Sequence, residues 1–156
     1  MIRVLFVCFG NICRSPMAEA IFQRLVDQAG LADQIQVDSA GTSDLNVGRP
    51  AHHRTREVLG QRGNTYAGRA RQVTLADLHT ADYVVIMDTH NAQDLFGMAG
   101  EGALEDKLHL LLEFAPSSFP REVPDPIYDG RFEHAYDLIE AGCYGLLDHI
   151  RATHGL

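Results

Sequence analysis

Three cysteines, Cys8, Cys13 and Cys143, are all that the 156 residues contain. An odd, low count makes a poor disulfide framework and points to a reducing, cytoplasmic setting. Metal-ligand spacing is missing as well. Cys8 and Cys13 do not fit a C-x2–4-C pair, and His52 and His53 are adjacent rather than four apart, so no metal is expected. Positive charge is short: 13 Lys and Arg stand against 21 Asp and Glu, a formal charge of −8. That argues against nucleic acid or an anionic membrane as the main partner, while leaving room for a local positive pocket. No segment reaches the ~18 continuous apolar residues of a membrane helix. The short N-terminal apolar run, interrupted by a polar loop with Pro16, lacks the layout of a signal peptide. The Gly-x4-Gly-Lys-Ser/Thr nucleotide loop is absent, so ATP or GTP binding has no support. Without repeats, linkers or low-complexity stretches, residues 1–156 are expected to form a single domain with a real core.

What is present alternates between two periods. Ile2 to Cys8 is apolar at nearly every position, as in a strand buried on both faces. Ile35 to Ala40, Asp82 to Met87 and Leu108 to Leu112 read as three more strands. Between them lie helical stretches: one opened by Ser15-Pro16 and stopped at Gly30, then Ala51 to Arg62, Leu75 to His79, and one capped by Asp88 through Phe96. Ser15 reads as the N-cap of the first, with Glu19 in its first turn. A proline-rich loop precedes the clearest helix, Arg131 to Thr153, whose apolar face includes Cys143. Strands alternating with helices predict an α/β fold, a small doubly wound four-stranded parallel sheet with helices on both faces (a flavodoxin-like three-layer sandwich). Ligands of such sheets bind outside the carboxyl ends of the strands, where Cys8 lies.

The stretch Cys8-Phe9-Gly10-Asn11-Ile12-Cys13-Arg14-Ser15 carries chemistry. A tight loop running into a helix can turn several backbone N–H groups inward and bind a tetrahedral oxyanion. Gly10 and Asn11 tolerate left-handed backbone values. Arg14 can grip two phosphate oxygens at once. An ordinary cysteine, pKa ~8.5, is mostly thiol at neutral pH; a helix N-terminus and a nearby arginine can bring it to about 3.5–7.5. A thiolate under a bound phosphate is a nucleophile for covalent phosphoryl transfer. Ser15 could donate to that sulfur, which competes with capping. A proton for the leaving group could come from Asp125, held between Pro124 and Pro126 in "VPDPIYDG". Core packing is the plainer reading of a lone strand-end cysteine. The combination with Arg14, Ser15 and Asp125 outweighs it.

"VCFGNICRSPMAEAIF", "VDSAGTS", "ARQVT", "DYVVIMD" and "PDPIYDG", in that order along nearly the whole chain, resemble the low-molecular-weight protein tyrosine phosphatases. The resemblance implies a cofactor-free, cytoplasmic enzyme acting on phosphotyrosine proteins or peptides, with a tyrosine kinase among the candidate substrates. A monomer is expected. Cys8 would be nucleophile, Arg14 phosphate clamp and Asp125 general acid and base. Asn11, Ser15 and Ser39 would form a supporting hydrogen-bond network.

The match is imperfect in places. The family pattern has a histidine where "GRARQ" puts Gly68, so Gly68→His is expected to preserve or raise activity. Leu45, Ile127 and Tyr128 stand where pocket walls are often aromatic. Ile12, where relatives that hydrolyse phosphoarginine resemble the pattern with a threonine, favours phosphotyrosine. Cys13 reads either as a redox partner that traps oxidised Cys8 or as a small buried side chain. Two other functions compete. A thiol-linked arsenate reductase would need relay cysteines, and none lies between Cys13 and Cys143. A phosphoryl-binding module would not need both Cys8 and Asp125.

Overall fold

The computed structural model describes residues 1–156. Strand β1 (Ile2–Cys8) pairs in parallel with β2 (Ile35–Gly41) on one side and β3 (Tyr83–Ile86) on the other; β4 (Leu108–Leu110) pairs with β3 at the edge. The order is β2-β1-β3-β4. Side-chain alternation sorts β1 into two cores. Val4, Phe6 and Cys8 face a large cluster built with α1 (Arg14–Gln28) and α6 (Phe132–His154), while Leu5 and Val7 face a smaller one. That second cluster takes Leu78 from α3 (Leu75–Thr80) and Leu95 from α4 (Thr89–Ala99). A central strand apolar on both faces is what such a sheet requires. Helix α2 (His53–Gln61) adds Val58 and Leu59 to the larger core.

The expected elements all form, with shifted ends. Helix α1 begins at Arg14, its N-cap is Cys13, and no side chain caps it. Ser15 is therefore not the cap, because its hydroxyl is taken by Cys8 and Asn11. Glu19 falls beyond the first turn because the helix already begins at Arg14. The fourth strand is shorter than expected: Leu111–Phe114 turns into a 3-10 helix that packs under α6. A short helix, α5 (Pro126–Asp129), capped by Asp125, was hidden in the proline-rich loop.

The close approach of α6 to that 3-10 turn generates a paired prediction. A Cβ on Gly145 would overlap the Phe114 carbonyl oxygen, whereas a Cβ on Gly97, exposed in α4, meets nothing within 4 Å. Gly145→Ala is expected to cost about 3 kcal/mol by overpacking. Gly97→Ala should gain up to about 1 kcal/mol from helix propensity. Urea midpoints of the two variants check the opposite signs.

Candidate active site

The loop from Phe9 to Cys13 crosses from β1 to α1 at the carboxyl edge of the sheet. Three of its carbonyls, and that of Cys8 before it, are held from outside. Thr42 N–H donates to Cys8 O at 2.9 Å, Ser43 N–H to Phe9 O at 3.0 Å and His52 N–H to Ile12 O at 2.8 Å. Asn46 Nδ2 donates to Gly10 O at 3.4 Å. The N–H groups of Phe9 to Cys13 donate to no protein acceptor. With the carbonyls tied outward, the amides form the concave donor surface that an oxyanion needs. Asn11 has φ 55°, the only positive value outside glycine, while Gly10 does not use its freedom.

Three bonds hold Asn11 in that conformation. Its Nδ2 donates to Ser15 Oγ at 2.7 Å and to Ser39 Oγ at 3.0 Å, and its Oδ1 accepts from Arg71 N–H at 3.0 Å. Asn11, Ser15 and Ser39 are all buried. The donor count fixes the direction of the chain. Ser15 Oγ accepts from Asn11, so its proton is available to Cys8 Sγ, 3.0 Å away. Ser39 likewise accepts from Asn11 and donates its own proton to Glu19 Oε1 in a short bond. Burial raises the Glu19 pKa against the opposing effect of that bond.

The expected gap at Gly68 is filled. The phenol of Tyr66 lies over Gly68, facing Ser39 and Glu19; a Cβ on Gly68 would stand 2.5 Å from its hydroxyl oxygen. Burial, then the Glu19 charge, pushes the Tyr66 pKa up to about 12, so it remains a neutral donor. The expectation for Gly68→His is thereby reversed: any side chain there evicts Tyr66 from the network.

Arg14 is 3% exposed and enters the same edge from α1. Its Nη1 donates to Asp88 Oδ2 at 2.7 Å and to Val123 O at 2.8 Å; its Nη2 lies 3.4 Å from Asp125 Oδ2. Burial works against its charge, but Cys8, the Asp88 bond and Asp125 outweigh it and raise its pKa. Both carboxylates divide their oxygens. Asp88 Oδ1 accepts from Asn91 N–H and caps α4; Asp125 Oδ1 accepts from Ile127 N–H and caps α5. The proline-rich loop is pinned by Val123 N–H to Met87 O at 3.0 Å. Asp88 could have been recognised from its place after β3, at the carboxyl edge. Tyr66 and Glu19 gave no comparable signal.

These groups surround one cleft of about 150 Å³, lined by Cys8, Phe9, Gly10, Ile12, Cys13, Arg14, Asn46, Asp125, Ile127 and Tyr128. Leu45 is not part of the lining. It is 70% exposed, and its neighbour Asn46 takes the wall position through the bond to Gly10. Ile127 and Tyr128 form the opposite rim and are exposed. Cys13 is buried, and burial followed by the charge of Cys8 pushes its pKa up to about 12. It is therefore a protonated thiol at neutral pH, a poor attacking group. Cys143 is fully buried in α6, its Sγ 3.8 Å from Ala18 O, with its pKa raised by burial.

Residues 3–155 match the family described as low molecular weight phosphotyrosine protein phosphatase. The low molecular weight protein-tyrosine-phosphatase YfkJ of Bacillus subtilis is 46% identical over 154 residues, 97% of each chain. The crystal structure of YfkJ superposes with a TM-score of 0.95 at 45% identity, covering 98% of this chain and 96% of that one. A structure described as a drosophila arginine phosphatase superposes with a TM-score of 0.87 at 35% identity, covering 95% and 97%.

Two substitutions test the Tyr66 anchor. Tyr66→Phe keeps the ring over Gly68 but removes one donor beside Glu19, and is expected to cost about 1 kcal/mol. Gly68→Ala should cost at least as much by displacing the whole phenol. Thermal melts give both values; a Gly68→Ala protein as stable as the parent would contradict the placement of Tyr66.

Proposed function

The chain belongs to the low molecular weight phosphotyrosine protein phosphatase family, and from that membership we propose that Cys8, Arg14 and Asp125 hydrolyse phosphotyrosine monoesters in two steps. The observation that carries the assignment is the convergence, in one cleft, of the Cys8 sulfur, five amides without protein acceptors, and the Arg14–Asp125 pair. The phosphoryl oxygens take the loop N–H groups and the guanidinium of Arg14. Cys8 thiolate attacks phosphorus; the phosphorus–oxygen bond to the ring breaks, and the proton of Asp125 goes to the departing phenolate. The product of this step is a phosphocysteine. Asp125, now ionised, accepts a proton from water, whose oxygen attacks phosphorus. The sulfur–phosphorus bond breaks, inorganic phosphate leaves, and the thiolate again accepts from the Ser15 hydroxyl.

The substrate is a phosphoprotein or phosphopeptide whose ring lies between the Asn46 side and the Ile127–Tyr128 rim. A reducing cytoplasm is the setting that suits three cysteines that are all unpaired; no helix is long and apolar enough to cross a membrane. The arsenate-reductase reading loses support because Cys143 is enclosed in the core and Cys13 is held as a thiol. Ile12 at the loop supports phosphotyrosine over phosphoarginine.

Hydrolysis of p-nitrophenyl phosphate and phenyl phosphate by three proteins provides the check. Cys8→Ser should show no turnover with its thermal melt unchanged. Asp125→Ala should lose about 10²–10⁴-fold in kcat, more on phenyl phosphate, the poorer leaving group. Full activity in Cys8→Ser, or activity that requires a divalent metal, would refute the mechanism.

A further inference from the structure

Positive charge is concentrated in one segment. Residues 49–71 hold six of the 13 basic residues against a single acid, Glu57, so the other residues carry seven basic and 20 acidic groups. Within the segment, Arg54, Arg62 and Arg71 are engaged by carboxylates of Glu133, Asp137 and Asp38. Arg49, Arg56 and Arg69 are exposed and make no ion pair. The backbone gathers these three. Pro50 and Arg69 form an antiparallel bridge, and Ala70 N–H donates to Arg49 O at 2.8 Å. Arg69 Nη1 donates to Gly48 O at 3.0 Å, and Arg56 Nε donates to Ala51 O at 3.1 Å. Gly48 and Ala51 are three residues apart, at most about 11 Å. The guanidiniums of Arg56 and Arg69 therefore meet at one short turn, and Arg49 lies within that turn. That turn begins two residues after Asn46, which forms a wall of the catalytic cleft.

We propose that this ledge receives acidic side chains flanking the phosphotyrosine of a polypeptide substrate. The proposal rests on the phosphotyrosine reading above and adds a sequence preference to it. Each of Arg56 and Arg69 spends one N–H on a backbone carbonyl and keeps others for a carboxylate, and that anchoring limits the freedom lost on pairing. Outside the segment, seven basic and 20 acidic residues leave a net charge of −13, so the ledge is where such a chain settles. An extended peptide advances about 3.3 Å per residue, which brings acids a few residues from the phosphotyrosine alongside it.

Fluorescence anisotropy measures this without turnover, using peptides in which phosphonomethylphenylalanine replaces phosphotyrosine. One peptide carries Asp and Glu on both flanks and a second carries Ala and Ser. The expected result is about tenfold tighter binding of the acidic peptide at 50 mM salt, with the difference shrinking towards none in 0.5 M salt. The variant R49E/R56E/R69E should lose or invert the preference while hydrolysing p-nitrophenyl phosphate at the parental rate. The salt dependence of the unmodified protein is a second, mutation-free reading. Equal affinity for the two peptides, or a preference that survives in the variant, would overturn the proposal. So would an oligonucleotide of equal charge that binds more tightly than the acidic peptide and is released by the variant. Absence of p-nitrophenyl phosphate hydrolysis in the parent would instead strike the catalytic reading, since the anisotropy experiment does not depend on it.

Discussion

The left-handed backbone at Asn11 is the constraint on which the site depends. A loop of five residues between a strand and a helix turns its amides inward only if one residue accepts a positive φ. Asparagine does so at lower cost than most side chains, and its amide supplies the means of holding it there. Both Nδ2 protons and Oδ1 are bonded, to Ser15, Ser39 and the Arg71 backbone, in a place closed to water. The two Nδ2 bonds set which way the Ser15 and Ser39 hydroxyls point. A single buried side chain thereby shapes the ring of free amides and turns the Ser15 proton towards the Cys8 sulfur.

Around those amides, structural and chemical tasks are shared by the same carboxylates. Asp88 and Asp125 each cap a helix with one oxygen and present the other to Arg14. Capping restricts the carboxylate's rotation, so the oxygen facing the guanidinium needs little further ordering. The two helices differ in length: α4 is a packed, eleven-residue helix, whereas α5 is one turn of four residues. Asp88 accordingly sits on the firmer support. Asp125 sits at the more exposed edge of the cleft, as the proton-donor role proposed for it requires.

Much of this was legible in the sequence because strong local signals agreed. The two-faced apolar run of β1 and the loop spacing identified the sheet and the position of Cys8, and proline on both sides singled out Asp125. What escaped depended on contacts between distant segments. Ser15 looks like an N-cap when only its neighbours are considered; its hydroxyl is drawn elsewhere by Asn11 and Cys8. Leu45 stood where an apolar wall was expected, but a hydrogen bond to Gly10 turns Asn46 inward instead. Tyr66 is the clearest case. Nothing in "TYAGRARQ" says that a phenol folds back over a glycine two residues later to meet Glu19 and Ser39. The vacancy at Gly68 was visible, and the side chain that fills it was not.

The bond from Arg14 to the Val123 carbonyl spans 109 positions of chain, and the approach of Asp125 spans 111. Ribosomes deliver residues in order, at about 5–20 per second, so roughly 6–23 s separate the emergence of Cys8 from that of Asp125. Throughout that interval the thiol belongs to a nascent chain without Asp125, without the Val123 carbonyl that Arg14 bonds, and without the α6 side of its core. The machinery assembles only when synthesis is nearly finished, and phosphatase activity is therefore a property that each newly made molecule acquires last.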